Sequence, residues 1–159
     1  MKTLLLWLSH GLTLLLGIGL GIYLLPLLTA APAPTATVMQ ALQQPLAQAQ
    51  FDRDRRDSDW LHWGEGKLLI GNNGIGFEGE LAPGPDYWLY LSPQFVETEQ
   101  QFNQLKPQMV AIGMVRGFDG FYLPLDPNID LSRYHAAVIW CESFGQFITS
   151  GLILPHQND

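Results

Sequence analysis

The spacing of apolar and polar residues changes character along this chain. From Leu4 to Leu25, "LLLWLSHGLTLLLGIGLGIYLL", Ser9, His10 and Thr13 are the only polar interruptions. As a helix this run extends about 33 Å, at about 1.5 Å per residue, against a bilayer hydrocarbon core of about 30 Å. The spacing predicts one membrane-spanning helix over residues 1–29. Lys2 and the amino terminus put positive charge before it, which predicts a cytoplasmic amino end and an outward-facing remainder. A cleavable signal would have a shorter apolar stretch, and Pro32 and Pro34 in "LLTAAPAPTA" hinder cleavage after Ala31 or Ala33. An uncleaved anchor is therefore favoured. Gly17 and Gly21 stand in a spacing that permits close helix contact, although glycine is common in membrane helices.

The next stretch lacks strong periodicity. Residues 29–50 are mostly Ala, Pro, Thr and Gln. Val38, Leu42 and Leu46 have a weak helical spacing, which Pro45 interrupts. "FDRDRRDSD" follows, with mixed charge and little apolar content. Such composition predicts a solvated, flexible tether over residues 30–59 that holds a folded domain off the membrane.

From Trp60 onward, short apolar runs alternate with turn chemistry. "KLLI" and "IGFEGEL" flank Gly71-Asn72-Asn73-Gly74, whose residues tolerate positive φ. "APGPD" feeds "YWLYLS", and "MVAIGMVRG" and "GFYLPL" flank Phe118-Asp119-Gly120. "HAAVIWCES" and "QFITSGLIL" close the pattern around Phe144-Gly145. About seven short strands predict an all-β, antiparallel sandwich or barrel-like domain over residues 60–155, with a tail at 156–159. "SPQFVETEQQFNQLK" reads either as a helix carrying Phe95, Phe102 and Leu105 or as a polar loop.

Composition narrows the function classes. Fifteen Asp+Glu against 8 Lys+Arg, a net charge of −7, disfavour nucleic acid as a partner. The chain has 1 Cys, which excludes an intrachain disulfide and a Cys-rich zinc site. That residue, Cys141, lies in the most strand-like run. Alternation puts it on one face with Ala137 and Ile139, and puts Val138, Trp140 and Glu142 on the other. A free cysteine in such a run is either a small core hydrophobe or a reacting group. Glu142 disfavours the thiolate, so redox chemistry would need help from residues distant in sequence.

The other polar residues carry weaker signals. His62, His135 and His156 have no metal-binding spacing. A haem held by His62 or His135 with Met109 or Met114 is disfavoured, and no cofactor is identified. Glu78 and Glu80 fit a solvated strand face. Asp86 fits a turn role. Asp119, Asp126 and Asp130 lack the spacing of a dedicated calcium loop.

Two stretches resemble a known family. "WGEGKLLIGNNGIGFEGELAPGPDYWLYLS" is similar to the opening of the DM13 domain. "GMVRGFDGFYLPLDPNIDLSRYHAAVIWCESFGQFITSGLI" resembles its later part, where Tyr134, Ile139, Trp140, Cys141 and Phe144 keep the family's order and spacing. The resemblance covers residues from about 60 to 154. Arg116 stands where the family often has Lys. The resemblance implies a redox role for Cys141, with Trp140 and Tyr134 shaping its surroundings. It also implies electron-transfer company, since DM13 modules occur beside DOMON and cytochrome b561 domains. No such domain is visible here, so a separate redox protein would be the partner. The alternative is a non-catalytic module that binds a protein or envelope ligand through Tyr87, Trp88 and Tyr90, with Cys141 packing only. The sequence does not set the oligomeric state.

Overall fold

The computed structural model describes residues 1–40, 42 and 44–155; the tail 156–159, with His156, lies outside the described residues. Helix α1 (Lys2–Thr29) is apolar on every side and buries none of its residues against protein. Its length and mean hydropathy of 2.1 suffice to cross a membrane, a test that a signal sequence near the amino terminus also passes. A one-turn helix α2 (Ala36–Gln40) follows.

The rest is an eight-stranded antiparallel sheet curled into a nearly closed barrel. The strands are β1 (Ala47–Phe51), β2 (Gly64–Ile70), β3 (Gly74–Leu81), β4 (Tyr87–Ser92), β5 (Val110–Val115), β6 (Phe121–Pro124), β7 (Ala136–Cys141) and β8 (Gln146–Pro155). Their order is β5-β4-β7-β8-β1-β2-β3-β6. Long strand β8 pairs with β7 and then with β1, and so joins the halves of the sheet. Phe51, Phe77 and Phe121 form an aromatic run inside, with successive ring centroids 5.4 and 5.1 Å apart. Strand β7 is buried along its whole length. Its inward residues join the barrel core, and its outward Val138 and Trp140 join a second cluster beneath helix α3 (Glu99–Leu105).

That helix resolves the ambiguous segment. Thr98 caps it by accepting the Gln101 N–H at 3.2 Å, and the Gln101 side chain accepts the Glu97 N–H at 2.9 Å. Phe102 is its fully buried anchor.

Residues 30–59 differ from the expected free tether. The Ala31 N–H donates to Arg116 O at 2.8 Å, just past the end of α1. The chain then runs along the outside of the barrel. Leu42 is buried over Gly71 and Gly76, where side chains would collide with it. Leu46 N–H donates to Ile70 O at 2.8 Å and leads into β1, a central strand. In β1, Ala49 and Phe51 point into the core and Gln50 points out. The charged run is held too. Arg55 Nε donates to Ser150 O at 3.0 Å and Ser58 Oγ to Ile148 O at 2.8 Å. The physical reason is pairing: charge on a segment does not prevent order when its backbone and side-chain donors find acceptors on β8.

Candidate functional site

Strand connections 52–63, 82–86, 116–120 and 142–145 gather at one end of the barrel, which is also where α1 joins. Cys141 ends β7 at this mouth and points inward with Ala137 and Ile139. A β-bulge between Ile139 and Trp140 in the β7–β8 ladder bends the sheet beside it.

The mouth is stitched around the sulfur. Asp86 adopts φ 57°, a left-handed conformation that Asp tolerates better than most residues. Its carbonyl accepts the Glu142 N–H at 3.0 Å, and its carboxylate accepts Trp88 Nε1–H at 3.0 Å and Ser143 Oγ–H at 2.8 Å. Gly145, at φ 63°, closes the β7–β8 turn by donating its N–H to Cys141 O at 2.9 Å. Cys141 Sγ donates to Pro85 O at 3.0 Å.

Cys141 is 2% exposed, yet it lines a cavity of about 370 Å³ with Leu61, His62, Pro85, Tyr87, Phe144 and, from α1, Gly19, Ile22 and Tyr23. Burial pushes its thiol pKa up. The backbone N–H groups of Phe144 and Ser143 oppose that shift, and Asp86 and Glu142 reinforce it. The thiol form is therefore the resting one at neutral pH. Tyr87 pairs with Cys141 across β4 and β7, and burial holds its phenol protonated far into alkali. Among the described residues no hydrogen-bond partner meets the Tyr87 hydroxyl, a buried donor facing the same cavity. His62 Nδ1 lies 3.0 Å from the Asp59 carboxylate at the rim.

The expected supporting residues do not share this pocket. Trp140 points to the opposite face of β7, as alternation requires, and stacks on Phe102. Tyr134 packs on the core at the other end of β7, on the order of 20 Å away along an extended strand. Nor do Tyr87, Trp88 and Tyr90 form an exposed contact face. Tyr87 is inside the barrel, Tyr90 is beneath α3, and Trp88 is half-buried.

A second polar cluster lies outside the barrel. The Tyr90 hydroxyl donates to Glu142, whose carboxylate receives Lys106 Nζ at 2.6 and 2.7 Å. Burial, then the Glu142 hydrogen bond and charge, raise the Tyr90 pKa well above its ordinary value.

His62 lies at the mouth and His135 at the far end. Asp126 and Asp130 are engaged in local turns, accepting the N–H groups of Asn128 at 2.9 Å and Ser132 at 3.1 Å. Among the described residues no group of three or more His, Cys, Asp or Glu is placed to hold a metal ion.

No curated protein and no solved structure matches the chain. A family model described as Electron transfer DM13 matches residues 56–152. The match takes in Leu61, His62, the Pro83–Tyr87 segment and the Cys141–Phe144 turn, that is, the barrel side of the mouth, and it spans more than half of the sequence. The chain belongs to the DM13 family.

Proposed function

We propose that this chain is a membrane-anchored, extracytoplasmic electron-transfer module in which Cys141 is the reacting group and a separate protein is the redox partner. Membership of the DM13 family supports the electron-transfer role. The apolar helix supports the anchor, and Lys2 ahead of it favours an outward barrel.

The observation that carries the reading is the position of Cys141 at the mouth, beside a cavity. Exchange with a partner's disulfide is a balanced route by which a lone thiol can pass electrons. Cys141 gives up its proton and its thiolate attacks one partner sulfur. One S–S bond forms and one breaks. The departing sulfur leaves as a thiolate and takes up a proton. Cys141 is oxidised and the departing sulfur is reduced, so no further oxidant is needed.

The test is reaction of the full chain, folded in detergent, with a small aromatic disulfide. Release of one thiolate per chain, lost in Cys141→Ser, is the expected result. Reaction only after denaturation overturns the proposal. The 2% exposure and raised pKa of Cys141 favour a second reading, in which the thiol is a packing residue of a binding module. On that reading, Cys141→Ser lowers stability and the native thiol is inert.

A further inference from the structure

We infer that the Cys141 end of the barrel sits in the headgroup layer of the bilayer, with Trp60, Leu61 and Phe144 as its lipid contacts. The inference rests on the anchor reading above.

Side-chain exposure points the same way. Trp60 is 81% exposed, Phe144 54% and Leu61 38%, high values for large apolar groups. Leu61 and Phe144 line one cavity with Gly19, Ile22 and Tyr23 of α1. Met114, also exposed, lines another with Leu25, Pro26 and Thr29. The rim is thus placed beside the apolar helix rather than beyond its end.

Helix geometry then fixes the depth. The 28 residues of α1 extend about 42 Å. Centred on a hydrocarbon core of about 30 Å, the helix has its outer boundary about 6 Å before Thr29. Tyr23 and Gly19 lie about 9 and 15 Å before Thr29, that is about 3 and 9 Å inside that boundary. Leu61 and Phe144, level with them, therefore reach past the headgroups into the outer acyl chains. The link is short as well, because Ala31 is already hydrogen-bonded to Arg116. That bond holds the Arg116 end of the barrel close to the end of α1.

The polar groups of the rim are compatible with this placement. Asp59 is paired with His62, Asp86 is satisfied by Trp88 and Ser143, and Glu142 is paired with Lys106; the exposed charges of Asp52, Arg53, Asp54, Arg56 and Asp57 on the same rim face the polar headgroups and water. An exposed Trp next to Leu suits the interfacial layer, where an amphipathic ring has both an apolar and a wet side. The exposed leucines at the far end, Leu46, Leu152 and Leu154, are aliphatic and remote from α1.

The experiment uses the full chain in phosphatidylcholine vesicles, with and without bromine on acyl carbons near the headgroup. Bromine quenches nearby tryptophan. Trp60→Phe isolates the Trp60 signal by difference, and Trp7→Phe isolates that of Trp7 within α1. The inference expects loss of Trp60 fluorescence in brominated vesicles. Phe144→Glu should relieve that loss and Leu154→Glu should not. An unquenched Trp60 with a quenched Trp7 overturns the inference and leaves the anchor intact. An unquenched Trp7, or a mature chain lacking α1 by mass, overturns both.

Discussion

Phe102 lies flat on Trp140, with ring centroids 3.9 Å apart and planes 9° from parallel. The stack clamps α3 to the outer face of β7, while Cys141, one residue on, faces the barrel interior. One strand thus separates a packing role from a candidate chemical one.

Phe102→Ala removes that clamp. The expected loss is about 3–5 kcal/mol of stability, read as a lower urea midpoint, with faster hydrogen exchange in Glu99–Leu105. Reactivity of the Cys141 thiol in the still-folded chain should be unaltered. A matching rise in thiol reactivity would mean that the two faces are coupled.

Leu42→Ala tests whether the segment after α1 is docked. Leu42 is 3% exposed, so truncation should cost about 2–4 kcal/mol and speed exchange at Leu46 N–H. An unchanged denaturation midpoint would restore a free tether.

The Cys141 thiol should titrate late. Its folded pKa lies above its unfolded one, mainly through burial. Alkylation of the unfolded chain should be half-maximal near about pH 8.5, and that of the native chain at higher pH. The corresponding stability is fully present below that pH and fades as pH rises through the folded value. Cys141→Ala should remove this part of the alkaline slope. Identical titration in both states would contradict the burial of the sulfur.

Glu142→Gln should bring the Tyr90 phenol down toward the ordinary tyrosine value of about 10. Burial would still hold it somewhat above. Alkaline difference absorbance of the variant against the parent reads the shift. No change would mean that the Tyr90–Glu142 hydrogen bond does not form in solution.

Much of the barrel was legible because its strands keep a period of two. In β7 that alternation assigned Ala137, Ile139 and Cys141 to one side and Val138 and Trp140 to the other, as found. Strand β1 was missed because Ala and Gln in "AQAQF" carry the alternation faintly, and their strand propensity is low. The start of α3 was readable in Thr98 and Gln101, spaced as a capping box, but its polar surface resembled a loop. Grouping Trp140 and Tyr134 with Cys141 followed the family resemblance; a pleated strand sends Trp140 to the opposite face and carries Tyr134 to its other end. The true neighbours, Pro85, Leu61 and His62 from strand connections and Tyr87 from the start of β4, are brought together only by the curling of the sheet into a barrel.

The bond from Ala31 to Arg116 also limits how the module meets other molecules. On the proposal that α1 is a membrane anchor, a body fastened so near it has no leash. It would explore a sheet rather than a volume, so its encounters would depend on sideways drift and surface density. Partners swimming freely would find the thiol's doorway turned away from them, whereas those sharing the same plane would arrive already level with it.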